Sequence, residues 1–227
     1  MTIPLIDKSD NFQIIRSKIA EILSAEILLQ QVLATAEGKD PDDWKFRVYL
    51  ERIKPWEVFL NGTDPTPIVN VWYERGNSEE GGRSNISTKQ NWTSRFNLDV
   101  YAYATSGSTS GGHSPGDQTV ALKAHNVAML VRNIIMHDDY CVLKLTGSEK
   151  PLKRWVPEMT PFQPQSGGQV IQNILGMRVV LEVNHDETIL QGDEEICEGI
   201  DIVFKHEPDG IVIAEMTIGE PEDPEEP

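Results

Sequence analysis

Cysteine is almost absent. Cys141 and Cys197 are the only two in 227 residues, too few for a disulfide framework or a four-cysteine zinc site. Both sit in apolar, strand-like stretches, the pattern of buried free thiols in a reducing compartment. There is no run of about 18 apolar residues, so no membrane span is expected. The start, Met1 to Asp7, lacks a basic segment and a long apolar core, so no secretory leader is expected. Bases are scarce where acids are dense: from Glu182 to Pro227 there are 16 acids and one base, Lys205. The rest of the chain is nearly balanced, so the last fifth carries almost all of the net charge of −16. An acidic surface repels phosphate, which disfavours nucleic-acid binding through a basic footprint. What is present is ordinary for a globular protein, with 39% hydrophobic and 25% charged residues. The length suits one domain with long insertions or two small ones.

The apolar periodicity gives the elements. Phe12, Ile15, Ile19, Ile22, Leu23, Ile27, Leu28 and Val32 recur at spacings of three and four, predicting a helix from a Ser9 or Asp10 cap to near Gly38. Its wide stripe calls for a large packing surface, most simply a sheet. Alternation predicts strands over Trp44–Ile53, Ile68–Glu74 and Trp92–Ala104. Between the last two, Arg75 to Gln90 reads as a mobile loop, and Thr105 to Gly116 as a low-complexity one. A second helix is expected from an Asp117 cap to about His137, with Val120, Leu122, Ala124, Val127, Ala128, Leu130, Val131, Ile134 and Ile135 as its stripe. Tyr140–Leu145 reads as a short strand, and Thr146–Gly168, with four prolines and no period, as an extended arm or loop. Strands follow over Gln169–Asn184, Ile196–Lys205 and Ile211–Ile218. The expected fold is one α+β domain over 1–219, a twisted, mainly antiparallel sheet with two helices packed on one face and long loops. Residues 146–168 form its extended insertion, and 220–227 an acidic disordered tail.

Motifs that would carry chemistry are weak. Gly107-Ser-Thr-Ser-Gly-Gly-His precedes a helix as a phosphate loop does, but His113-Ser114-Pro115 stands where the phosphate-binding Lys belongs. His137-Asp138-Asp139 and His185-Asp186-Glu187 offer metal ligands with no third His or Cys suitably spaced; a helix C-terminus and a turn account for them. His185-x-Glu187 lacks the Pro-Cys-x-x-Cys partner of a deaminase, and no Gly-x-Ser-x-Gly elbow occurs. The sequons at Asn61, Asn85 and Asn91 read as chance without a leader. Neither a catalytic residue, a metal site nor a cofactor site is therefore assigned, and the chain is not expected to be an enzyme.

Large amphipathic side chains on strand faces are the stronger signal. Arg47, Tyr49, Arg95, Tyr101 and Tyr103 fall on polar faces, as an assembly surface or as ordinary cross-strand pairs. In the Pro-rich segment, Trp155, Met159 and Phe162 need an apolar anchor, on this subunit or on a neighbour.

The order of elements then becomes informative. An amphipathic N-terminal helix, strands with Pro67-Ile-Val-Asn-Val-Trp-Tyr-Glu and Phe96-Asn-Leu-Asp-Val-Tyr-Ala-Tyr-Ala, a helix over Asp117–His137 and a strand over Tyr140–Leu145 resemble the tail terminator and tail-completion (neck) proteins of long-tailed bacteriophages, over roughly 9–205. The resemblance lies in element order, not in an invariant motif, and 146–168 and the acidic tail depart from it. It implies a structural virion protein of the tail or neck, assembled in the host cytoplasm, with no catalytic residues. It further implies a homohexameric ring, with the tail tube protein and a connector or head-completion protein as partners, and a sheath protein as a further one. Genomic DNA would pass without specific binding, and no membrane is involved. Asp193, Glu194 and Glu195 would then rim the channel and repel DNA, or else solubilise an outer surface. Two alternatives stand beside this: another neck, head-completion or sheath-associated component, and a small enzyme or ligand-binding module using the Gly-rich loop with His113 and His125.

Overall fold

The computed structural model describes residues 10–61, 64–78, 89–105, 107–109, 112–114, 116–146, 150–166, 169–170, 173–188, 200–206 and 211–218. The chain divides into two compact units, Asp7–Leu190 and a smaller one of Gln191–Pro227 with Met1–Ile6. The larger is α+β: a five-stranded, mostly antiparallel sheet with two long helices on one face.

Helix α1 (Asn11–Ala36) seats Ile15, Ile19, Ile22, Leu23 and Ile27 on the sheet, as the spacing predicts. It stops where Gly38 takes φ +72°, a left-handed conformation that glycine adopts without a Cβ penalty. Gly38 N–H then donates to Thr35 O and Lys39 N–H to Ala34 O. A 3-10 turn over Pro41–Trp44 leads into strand β1 (Arg47–Leu50). β1 pairs parallel with β2 (Ile68–Ser78). A parallel pair needs a crossover, and the crossover here carries the short helix α2 (Glu57–Asn61). β2 and β3 (Lys89–Tyr103) are antiparallel, and Arg75 to Ser78, expected in a loop, continue β2 in register with β3. The stretch expected as a plain loop at 105–116 contains a small hairpin, β4 (Gly107–Thr109) with β5 (Gly112–Ser114). Helix α3 (Gly116–Ile135) buries Val120, Ala124, Val127, Ala128, Val131, Ile134 and Ile135.

Two segments differ from the pattern reading for clear reasons. Tyr140–Leu145 is no strand. It continues a 3-10 turn (Asp138–Tyr140) and buries Tyr140 and Leu143, three apart, so its period is three and not two. Cys141, on this turn, is exposed and free. The Pro-rich segment, read as an arm, contains strand β6 (Lys153–Phe162). Its prolines fit because β6 lies at the sheet edge, where one side of the ladder needs no N–H, and because Pro157 falls in the irregularity between Trp155 and Glu158. After the short pair β7 (Gln165–Ser166) and β8 (Gln169–Val170), β9 (Ile174–Thr188) runs between β3 and β6. The sheet order is β1-β2-β3-β9-β6. In the smaller unit, β10 (Ile200–His206) and β11 (Ile211–Ile218) form an antiparallel hairpin. Asp193, Glu194, Glu195, Cys197 and the tail 220–227 lie outside the described residues.

The main core lies between the sheet and the helices, where Val69, Val71, Phe96, Leu98, Val100, Val179, Leu181 and Val183 meet α1 and α3. Three residues assigned to the core by periodicity are not in it: Leu28 and Val32 of α1 and Leu122 of α3 are exposed. Ile27 and Ala34 beside the first two, and Val120 and Ala124 beside the third, are buried, so the three lie on the outward sides of their helices, where the apolar stripe is wider than the face that packs. By length and composition alone α1 could cross a membrane; in this fold its inner face packs on the sheet.

Candidate functional site

Strand alternation sends every second residue of β2, β3, β9 and β6 to the face without long helices. The register gathers Arg47, Arg95, Tyr101, Tyr103, Trp155 and Phe162 there, from three strands, β1, β3 and β6, spread over 116 positions. Met159 pairs with Val179 on the opposite side and packs against the main core.

The centre of this face is a buried carboxylate among partly exposed charges. Asp99 is 2% exposed. It accepts from Arg178 Nε at 2.7 Å and Nη2 at 2.9 Å, and from Trp72 Nε1 at 2.9 Å. The Arg178 guanidinium lies over the rings of Trp72 and Phe162, at 5.1 and 5.5 Å. The hydrogen bonds that Arg178 donates to Asp99 hold the Arg178 pKa above its ordinary value. Beside this pair, Arg95 spans Glu74 (3.4 Å) and Glu158 (3.1 Å), and Asn97 donates to Glu74 at 2.9 Å. A bidentate Arg–carboxylate pair fixes orientation as well as supplying energy, so the face is a stiff plate with alternating charge.

One end of the plate is covered by the subunit itself. Tyr101, expected on an exposed polar face, is buried, because the β1–β2 crossover folds over it. Trp56 stands 5.6 Å from Tyr101, Phe59 stacks on Tyr103 at 5.8 Å, and Phe162 meets Tyr101 edge-on at 5.4 Å. Burial pushes the Tyr101 phenol up. The Phe162 ring lies directly over Gly176, where a Cβ would collide with it. Arg47 is held in place, donating to Thr66 O at 3.1 Å and facing Asp64 at 3.5 Å. The missed signal was the triplet Trp56, Val58 and Phe59, an apolar cluster too short to show a period. Trp155 remains half-exposed at the edge, with the Lys153 ammonium 4.9 Å from its ring centre.

His185-Asp186-Glu187 sits at the end of β9 rather than in a turn, and it caps α1. The Glu187 carboxylate accepts from the N–H groups of Asn11 and Phe12, both at 3.2 Å, and Asp186 O accepts from Asn11 Nδ2 at 2.6 Å. Asp10 makes no side-chain cap bond, so the cap is supplied from 175 residues away. A carboxylate at a helix N-terminus satisfies orphan donors and faces the positive end of the dipole. His185 Nε2 lies 2.8 Å from Ser94 Oγ, and Nδ1 lies 3.5 Å from Glu187. This Ser–His–Glu series has the composition of a nucleophilic triad. Ser94 and His185 are buried, however, and Glu187 is engaged on α1, so no substrate carbonyl reaches the serine. At the other helix, Arg154, unmarked in the sequence, caps α3 by donating to Ile135 O (3.0 Å) and His137 O (2.7 Å).

Burial lowers the His185 pKa from its ordinary 6.5. The unfolded chain therefore binds a proton as pH falls through about 6.5, while the folded chain does so only at lower pH. The His185 contribution is complete above that value and is lost progressively below it. His185→Gln is expected to flatten the fall in stability between about pH 6.5 and 5, measured by urea unfolding. An unchanged pH slope would show that the imidazole is not held neutral.

Between α1 and α3 lies a cleft of about 280 Å³ lined by Glu26, Gln30, Asn133, His137, Asp139 and Tyr140, among others. Tyr140 O–H donates to Glu26 at 2.6 Å, which lowers the Glu26 pKa and lifts the phenol to about 12. Among the described residues, no three of His, Cys, Asp and Glu come together as a metal site. No protein-family model matches the chain, and comparison with curated proteins returns no relative.

Proposed function

We propose that the chain is a structural virion protein, a tail-terminator subunit acting as a homohexameric ring that caps the tail tube and joins the tail to the head connector. The observation that carries this reading is the element order: α1, the antiparallel pair β2–β3, α3, then β6 and β9, with both long helices on one side of the sheet. The resemblance to tail terminators shares α1, β2–β3 and α3 with this order; the strand it expects over Tyr140–Leu145 is a 3-10 turn, and β6 is the next strand in the chain. A stiff plate of paired charges on one sheet face and uncovered apolar side chains on the helices suit a subunit whose work is contact. The partners follow from the position: the tail tube protein below, and a connector or head-completion protein above. In this reading Asp193, Glu194 and Glu195 rim the channel and keep DNA from adhering.

Electron microscopy tests it directly. Six-fold rings of the purified protein, and the same rings at the head–tail junction of particles, are expected. A strict monomer that is also missing from particles would overturn the reading. At the edge strand, Trp155→Ala is expected to raise the dissociation constant of the ring by about tenfold, the scale of one anchor side chain. The thermal transition of the monomer should move by only a few degrees. Equal loss of monomer stability would place Trp155 in an intrasubunit contact alone.

A further inference from the structure

The ten residues Ile27-Leu-Leu-Gln-Gln-Val-Leu-Ala-Thr-Ala36 close α1 without a single charge, in a chain of net charge −16. A helix that is apolar nearly all round belongs in a buried setting. The subunit covers only one side of it: Leu28 is 64% exposed, Leu29 56%, Val32 67% and Leu33 53%. Leu28 with Val32, and Leu29 with Leu33, are i,i+4 pairs, so the four form one contiguous patch. A patch of this kind on a water-soluble surface marks a contact site.

A second uncovered row lies on α3. Leu122 and Met129 are 56% and 45% exposed and lie two turns apart on one line of the helix. After Asp117 in its first turn that helix has no acid, and its other charges are Lys123 and Arg132. Neither base has an acidic partner within 4 Å among the described residues. The α1 patch is bracketed by Glu21 and Glu37, which pair with Lys18 at 2.9 Å and Lys39 at 2.6 Å, so its rim is neutral. The two rows thus suit each other: an apolar seam with a neutral rim, and an apolar seam flanked by bases that an otherwise acidic copy of the chain attracts. Two copies of so acidic a chain repel at most approaches, and an uncharged patch set against the acid-free stretch of α3 after Asp117 avoids that repulsion.

We infer that the C-terminal half of α1 in one copy docks on the outer row of α3 in the next, a head-to-tail contact between copies of this chain. The inference rests on the ring reading and names the contact that builds the ring. A head-to-tail contact uses two different surfaces per subunit and closes into a ring when the rotation allows.

Because the two surfaces differ, the contact can be tested by exchange. Val32→Asp and Met129→Arg each place a charge at an exposed position, so each variant should keep the wild-type circular-dichroism melt. In analytical ultracentrifugation each variant alone is expected to raise the dissociation constant of the assembly at least tenfold. Mixing the two should restore assembly, since Asp at 32 then faces Arg at 129 and the other contact is wild type. The double variant in one chain should assemble for the same reason. If both single variants assemble like wild type, the contact is overturned while the ring reading stands. Loss with Val32→Asp but not with Met129→Arg, or no rescue on mixing, assigns the α1 patch to a different occupant and overturns it. A wild-type chain that stays monomeric at 100-fold excess over the working concentration also overturns it, and microscopy of particles then judges the ring reading separately. The last arm uses phosphatidylcholine–phosphatidylglycerol vesicles. Sedimentation of the wild type with them, abolished by Val32→Asp, would make a lipid surface the occupant.

Discussion

Asp99→Ala is expected to destabilise the larger unit by about 3 kcal/mol in urea or thermal unfolding. Removing one member of a buried ion pair typically costs about 3–5 kcal/mol, because the partner is left charged and uncompensated. Here three donors converge on one carboxylate, two from Arg178 and one from Trp72. The lower end of the range applies because the Arg178 side chain is 38% exposed, so water recovers part of the lost solvation. Asp99→Asn keeps the shape and one acceptor and should cost roughly half as much. The loss should also spread to β6, since Arg178 supports the Phe162 ring and pairs across the ladder with Thr160. Faster amide exchange over Lys153–Phe162 in Asp99→Ala is the corresponding readout. A cost below about 1 kcal/mol would mean that the pair is screened like an ordinary surface bridge.

How much of this was legible depends on the range of the contact. The period of α1 and α3 and the alternation of β2 and β3 are local signals, and those elements fall where the pattern places them. β6 was hidden because its two prolines and an irregular register at Trp155–Glu158 erase the alternation, while an edge strand tolerates both. The caps were illegible for another reason: Glu187 reaches α1 across 175 residues and Arg154 reaches α3 across 19, and neither spacing is visible before the fold exists. Tyr101 was read as exposed because alternation names two faces without saying what covers each one. The same blindness works the other way at Leu28, Val32 and Leu122. Periodicity marks them as needing burial, and it does not distinguish burial within a subunit from burial between subunits. The plate of Arg95, Asp99 and Arg178 was half visible: β3 and β9 were both expected as strands, but their pairing lies 79 positions apart, and β6 came from a segment with no period.

The other large effect is expected at Phe96, whose ring is fully buried at the centre of β3. Phe96→Ala should cost about 3–5 kcal/mol, the transfer of an aromatic ring plus the cavity left behind. Relaxation is restricted on both sides by strand backbone, since Phe96 pairs with Tyr73 on β2 and Leu181 on β9. The ring also ends a short aromatic series. Phe12 stacks on Tyr73 at 4.3 Å, and Tyr73 tilts against Phe96 at 5.8 Å. Phe12 lies in the first turn of α1, so the series links the sheet to the same helix end that Glu187 caps. Emptying position 96 should therefore loosen that end of α1. In a double-mutant cycle, Phe12→Ala and Phe96→Ala should couple by at least about 0.5 kcal/mol, although the two rings are bridged only through Tyr73. Phe96→Leu, which keeps most of the volume, should cost less than about 1.5 kcal/mol. Additive losses from Phe12 and Phe96 would show that the α1 terminus is held by the Glu187 cap alone, with the aromatic series contributing packing but no connection.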